Sequence, residues 1–260
     1  MSLVGKTFAS YFKDLLHSGN SGRGVDASTR NVKDGLGNST SISLSDDVLS
    51  VQPVNHNTTA TLLCKQSGGN NILAVDTTNS LVKVGAGQVS ATTQYANFGV
   101  DASESAGFSA NTHYMIPFNM LGIQGTPSIG TSTNPDTTYT ITNSADLFVN
   151  SIWFIPDAIT IDAVTWWHGA DAATGDTTRA HLMSYAIVSD NSSTSGDLSD
   201  GTVLADGADI TNAGVEQAYY QSMTVQSANV AAGRVIIFVF RSDSNNSDYA
   251  ISATVKYHIQ

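Results

Sequence analysis

The sequence predicts a mainly β protein with an N-terminal helix, a thin β shaft and a C-terminal antiparallel β-sandwich or jelly-roll head. Three observations carry that prediction. Charged residues make up only 13% of the 260 residues, about half the usual share, and Ser, Thr, Asn and Gly supply the polar balance. Surface helices normally display Lys and Glu, whereas hydroxyl-rich outer faces belong to strands. Between Ser41 and Gly87 short apolar runs alternate with turn formers, each run too small to close a core. Beyond Asn111 the runs lengthen and become more apolar, as in an antiparallel sandwich.

Residues 1–30 read as a helical anchor and a joint. Val4, Phe8, Phe12, Leu15 and Leu16 fall on one stripe at helical spacing within residues 4–18, with Lys6, Ser10, Lys13 and Asp14 turned away. His17 lies in the last turn and Gly19 is a stop signal. A helix of about 15 residues is marginal alone in water, so the stripe must dock. It can dock on a mount protein, on copies of itself or back on its own domain. Gly19-Asn-Ser-Gly-Arg-Gly24 reads as a flexible joint.

Residues 31–110 read as shaft and neck. Strands are expected at Ile42–Leu44, Val48–Val54, Thr59–Lys65, Asn71–Val75 and Leu81–Val84. Asp46-Asp47, Asn55-His56-Asn57, Ser67-Gly68-Gly69-Asn70 and Thr77-Thr78-Asn79 part them. So few large apolar side chains leave a face that needs a partner, and the simplest partner is another copy of the chain. Val89–Asn111 is rich in Ser, Ala, Thr and Gly, with only Tyr95, Phe98 and Phe108 as large anchors, and reads as a neck or linker.

Residues 111–260 read as the head. Strands are expected at His113–Phe118, Tyr139–Thr142, Leu147–Ile155, Ile159–Trp167, Ala180–Ser189, Thr202–Ala205, Ala218–Val225, Val235–Phe240 and Tyr249–Ile259. Val235–Phe240 is apolar on both faces, which marks a central strand. Tyr249, Ile251, Ala253, Val255 and Tyr257 alternate with polar or small residues, as a strand with one buried face requires.

Net charge is −11 and unevenly spread: residues 1–40 carry five basic and three acidic groups, so the rest is strongly acidic. Nucleic acid is excluded as a partner, because phosphate neutralisation needs clustered Lys and Arg. The single Cys64 excludes an intrachain disulfide and is expected to pack as a small apolar residue in a strand. No run approaches the roughly 18 apolar residues of a membrane span, so membrane insertion is not expected. Met1-Ser-Leu-Val-Gly-Lys6 lacks the pattern of a secretory signal, which points to assembly in the cytoplasm.

Catalysis finds little support. His17, His56, His113, His168, His181 and His258 are scattered singly, with no H-E-x-x-H and no G-x-S-x-G. No cofactor or metal is expected. The oxygen-rich loops at 190–201 and 243–248 have the composition of calcium loops but not the EF-hand spacing, and turn formation explains them. The most suggestive cluster is Trp166-Trp167-His168, with Tyr219-Tyr220. Neighbouring residues of a strand face opposite sides, so one member of each aromatic pair enters the core and the other is left outside. An outward indole or phenol offers a flat face for a sugar ring and a polar edge; the alternative is that a neighbouring copy covers it.

Ile72-Leu-Ala-Val-Asp-Thr-Thr-Asn-Ser-Leu-Val-Lys-Val-Gly85 resembles the strand-turn-strand "VDTTN…VG.G" unit of tailed-bacteriophage fibre shafts, which are trimers of intertwined chains. Lys33-Asp-Gly-Leu-Gly-Asn-Ser-Thr-Ser-Ile-Ser-Leu-Ser45 is similar to the segment near the start of such fibres, and Ala253–Ile259 to closing strands of their distal knobs. Together these segments cover 34 of the 260 residues; such shafts repeat the unit, and here it occurs once. The resemblance implies a homotrimeric virion protein made in the host cytoplasm, with an intertwined β shaft. Residues 1–24 would mount it on a tail or capsid protein, and Trp166, Trp167, His168, Tyr219 and Tyr220 would contact a host-surface glycan or protein. A tail fibre or spike is the first expectation and a capsid-mounted head fibre or decoration protein the second. A polysaccharide-degrading tailspike is the third, but the long repetitive β-helix usual in that class is missing.

Overall fold

Two aspartates build the first turns. Asp34 Oδ1 accepts the backbone N–H groups of Leu36 and Asn38 at 2.9 and 2.8 Å, and its Oδ2 accepts Asn38 Nδ2 at 2.8 Å. Gly37 supplies the left-handed step, at φ +88°. In the Val75-Asp-Thr-Thr-Asn79 turn, Asp76 Oδ1 accepts the N–H groups of Thr78 and Asn79, while Oδ2 accepts Asn79 Nδ2 at 2.9 Å and Lys83 Nζ at 2.7 Å. The Lys83 and Asn79 bonds hold the Asp76 carboxyl well below the usual carboxylate range. The conspicuous sequence motif is therefore a self-capped hairpin turn closed by one buried carboxylate.

The computed structural model describes residues 16–18, 25–87, 89–101, 108–119, 127–142, 145–171, 173–245 and 249–260. The chain divides into two units, residues 1–91 and 92–260. The first holds two antiparallel sheets. One has the order β1 (Arg30–Lys33), β2 (Ser39–Leu44), β3 (Leu49–Val51); the other has the order β4 (Leu62–Lys65), β5 (Asn71–Asp76), β6 (Leu81–Val84), β7 (Val89–Ser90). Several expected strands are shorter than the sequence predicts. Val48–Val54 contracts to β3 ahead of Pro53, which has no N–H for a ladder, and Thr59–Lys65 contracts to β4. Arg30–Lys33, with Val32 its one large apolar residue, gives no strand signal and is held by pairing with β2.

Two expectations in this unit are corrected. Val4, Phe8, Phe12 and Leu15 of the helical stripe lie outside the described residues, but at its end Leu16 is exposed and His17 is not helical. His17 exchanges backbone hydrogen bonds of 2.8 Å with Lys33 instead, so an antiparallel bridge to a residue sixteen positions on satisfies its backbone groups. Cys64 lies in a strand but is not packed away: β4 is an edge strand and all four of its residues are exposed.

The second unit is a β-sandwich of antiparallel sheets. Its strands are β8 (Thr93–Val100), β9 (Tyr114–Ile116), β10 (Trp153–Phe154), β11 (Ile159–Asp171), β12 (Thr177–Ile187) and β13 (Leu198–Asp206). They continue with β14 (Ile210–Thr211), β15 (Glu216–Ser222), β16 (Thr224–Val225), β17 (Asn229–Val230), β18 (Arg234–Ser242) and β19 (Tyr249–Ile259). A five-stranded sheet has the order β15-β11-β19-β8, with β17 on β11. A seven-stranded sheet has the order β10-β18-β12-β13-β16, with β14 on β12 and β9 on β18.

Phe98, Val164, Trp166, Ile251 and Val255 from the first sheet meet Leu182, Ile236, Phe238 and Phe240 from the second in one core. The other face of the seven-stranded sheet buries Met115, Met183, Tyr185, Val235, Ile237 and Val239 against Ile129 and Phe148. β18 is thus apolar on both faces because each face has its own core.

Two head expectations are also corrected. Leu147–Ile155 is not one strand: a helical turn α1 (Ala145–Phe148) and a 3-10 turn (Val149–Ser151) precede β10. This segment buries Phe148 in the second core and leaves Val149 64% exposed. A continuous apolar run does not itself choose between strand and helix, and packing against the sheet chose. The neck reading of Val89–Asn111 fails at Thr93–Val100, which pairs with β19 along its whole length. Ala96, Phe98 and Val100 of β8 are buried, so the head begins near residue 92 rather than 111.

Candidate functional site

β11 places the predicted aromatics, and its register sorts them. Trp167 stands opposite Tyr220 on β15 and Ser252 on β19; His168 stands opposite Tyr219 and Ile251. Alternation along the strand sends Trp166 and His168 into the sandwich, both with no exposed surface, and Trp167 outward, 52% exposed. The five residues are adjacent, yet they form two groups on opposite faces of one sheet.

The inner group is a stack. The His168 ring lies between Trp166, at 4.9 Å and 23°, and Tyr219, at 5.1 Å and 19°. Trp166 Nε1 donates to Gln221 Oε1 at 3.3 Å, and Tyr219 donates to Gln217. His168 Nε2 donates to Asn212 Oδ1 at 3.0 Å, Asn212 Nδ2 donates to Tyr249 at 3.4 Å, and Tyr249 donates to Asp176 Oδ2 at 3.1 Å. Burial pushes the imidazole of His168 below its ordinary value, and the Asn212 bond offsets only part of that. Burial likewise pushes Tyr249 up to about 12. Both groups are neutral at neutral pH and hold the interior of the sheet together. Trp166 and His168, expected among the contact residues, present nothing to a ligand.

The outer group is the pair Trp167 and Tyr220, with ring centroids 4.8 Å apart and planes at 50°. Beside Trp167 lies an open cleft of about 360 Å³, lined among others by Asp101, Gly169, Ala250 and Ser252. Sequence reading misses that floor. Gly169 follows the aromatics directly, but Ala250, Ser252 and Asp101 arrive only through the register of β19 and the end of β8, and no local pattern announces them.

The histidines are not all single. His113 and His181, both fully buried, meet edge to face at 5.2 Å. His181 Nε2 lies 3.2 Å from Asp206 Oδ1 without hydrogen-bond geometry, and neither ring makes a hydrogen bond. Arg179 holds Asp206 through two bonds, Nε at 3.1 Å and Nη2 at 2.6 Å. Burial is the main reason that His113 falls to about 3 and His181 to about 4.

Among the described residues no group of three or more His, Cys, Asp or Glu side chains is placed to hold a metal ion. In the oxygen-rich loops, Asp190 accepts the Ser192 N–H, Asp197 accepts the Ile141 N–H at 2.8 Å, and Asp243 accepts the Thr177 N–H at 2.7 Å. No helix among the described residues is long and apolar enough to cross a membrane. Comparison with protein-family models finds no matching family, and comparison with curated proteins finds no matching sequence.

Proposed function

We propose that this chain is one protomer of a homotrimeric bacteriophage fibre or spike that attaches to a host-surface receptor, a glycan. Residues 1–24 mount it on a virion protein, residues 31–91 intertwine as the shaft, and the sandwich carries the receptor contact. One observation carries the reading: the first unit and the outward face of the five-stranded sheet expose different kinds of apolar side chain. In residues 25–91 the large exposed ones are all aliphatic, and Leu36, Leu49, Val54 and Ile72 are each more than half exposed. Aliphatic surface left in water forfeits about 25 cal/mol per Å², and exposed patches of this kind mark protein contacts. Copies wound about one another bury it, which is also what the resemblance of Ile72–Gly85 to intertwined shafts implies. On the outward face of the five-stranded sheet, by contrast, the large exposed side chains are Tyr95, Trp167 and Tyr220, each with a polar atom. Three heads in one assembly turn a weak contact into avid attachment, because later contacts form at high effective concentration.

Sedimentation of the full chain tests the architecture. The expected species is a trimer, three times 27.2 kDa, that also adsorbs to cells in a bacterial panel. A stable folded monomer at micromolar concentration overturns the reading.

A further inference from the structure

Gly169 stands where a strand has no need of glycine. It lies near the end of β11, its backbone is outside the left-handed region, and a Cβ added to it would meet only the Ala250 Cβ, at 3.9 Å. Glycine inside a strand weakens it, since more backbone entropy is lost and no side chain packs. Neither a turn nor crowding demands glycine here. What its missing side chain makes is depth. Ala218, Gly169 and Ala250 lie side by side across β15, β11 and β19, next to the row of Tyr220, Trp167 and Ser252. The row of small residues is a floor, and the exposed Trp167 indole is the wall of the 360 Å³ cleft.

The chemistry of that cleft selects a ligand. Its volume lies in the range of small-molecule sites, about 300–1,000 Å³. A flat indole beside a bare floor suits a ring with an apolar C–H face, while Ser252 and Asp101 on the lining suit hydroxyl groups around its edge. Residues 92–260 carry four basic and sixteen acidic groups, which disfavours an anionic ligand. Among the described residues of this sheet the one cation is Lys256, two rows from Trp167 on β19. The neighbouring row, Ser222, Thr165 and Thr254, is all hydroxyl. The large exposed side chains of this face, Tyr95, Trp167 and Tyr220, each carry a polar atom, unlike the aliphatic surface of residues 25–91 that fits a second copy.

We propose that the cleft binds one neutral pyranose residue of a glycan, its C–H face stacked on Trp167 over the Gly169 floor and its hydroxyls toward Ser252 and Asp101. The assignment rests on the attachment reading and names the part of the receptor that is grasped.

The test uses the full chain with labelled indole nitrogens, so that Trp153, Trp166 and Trp167 are followed separately by NMR. Methyl glucoside, methyl galactoside, methyl mannoside and N-acetylglucosamine are titrated to tens of millimolar, with glucuronate as the anionic control. At least one neutral sugar should move the Trp167 resonance saturably and leave Trp153 and Trp166 in place, and glucuronate should move none. Gly169→Val fills the floor with a residue that strands favour; it should weaken the shift at least tenfold with the melting temperature unchanged, and Gly169→Ala should fall between. No Trp167 response to any neutral sugar, or a response that survives Gly169→Val, overturns the proposal. So does a Trp167 indole shielded from acrylamide whose change to Ala reduces the size of the assembly, because that assigns the face to a second copy. The attachment reading fails on a different result: a trimer that binds sugar in the cleft and adsorbs to no cell. Adsorption that persists in Gly169→Val removes the cleft as receptor site and leaves attachment standing.

Discussion

Trp166 and Trp167 are neighbours in the chain and opposites in environment. Trp166 packs within 6.4 Å of Phe238 and 6.0 Å of Phe240, ring to ring, and has no exposed surface. Changing it to Ala should destabilise the head by about 3–5 kcal/mol through lost packing, whereas Trp167→Ala should leave the melting curve in place. Thermal melts of the two variants check this, and equal losses would contradict the burial difference. His113 and His181 make a second prediction. Both are held neutral by burial, so their folded values lie below the ordinary 6.5. Below that pH the unfolded chain takes up protons that the folded head refuses, and stability falls as pH drops from 6.5 toward about 4 and 3. The slope is at most about 1.4 kcal/mol per pH unit for each histidine, and Asp206 moderates it at His181. Above neutrality the pair contributes no slope. Melting temperature measured against pH should show the decline, and His113→Leu should flatten it.

At the scale of elements, β8 shows where local reading stops. Thr93–Val100 is poor in large residues and reads as a neck, yet Phe98 meets Phe118 at 5.3 Å and Phe238 at 6.0 Å inside the sandwich. Its partner, β19, is about 150 residues away in the chain. A fragment of residues 92–260 should therefore melt cooperatively. A fragment of residues 111–260 lacks β8, leaves the edge of β19 unpaired, takes Ala96, Phe98 and Val100 out of the core and should lose that transition; calorimetry on the two fragments decides it. The turn at Asp76 is the opposite case. Its hydrogen bonds all come from residues within seven positions, so the motif that the eye catches in the sequence is the motif that closes the hairpin.

For the whole molecule, the proposed reading gives residues 1–24 the mounting role and the sandwich the receptor contact. Deleting residues 1–24 should leave a folded, cell-adsorbing trimer that no longer joins virions. Incorporation that persists after the deletion, or loss of the head transition in calorimetry, would remove the mounting role from this segment.

Much of this was legible in the chain itself. Turn chemistry at Asp34 and Asp76, the doubly apolar β18 and the alternation of β19 are written in residues a few positions apart, and the one-in, one-out fate of Trp166 and Trp167 follows from the period of a strand. The tertiary structure decided what depends on distant partners. It moved the start of the head to residue 92, turned residues 145–151 into a helical cap over the second core and brought His113 to His181. It also set Ala218, Gly169 and Ala250 in one row beside Trp167. Each of these is a matter of register between segments far apart, and register is chosen by the burial of whole faces at once, which no local window of sequence contains.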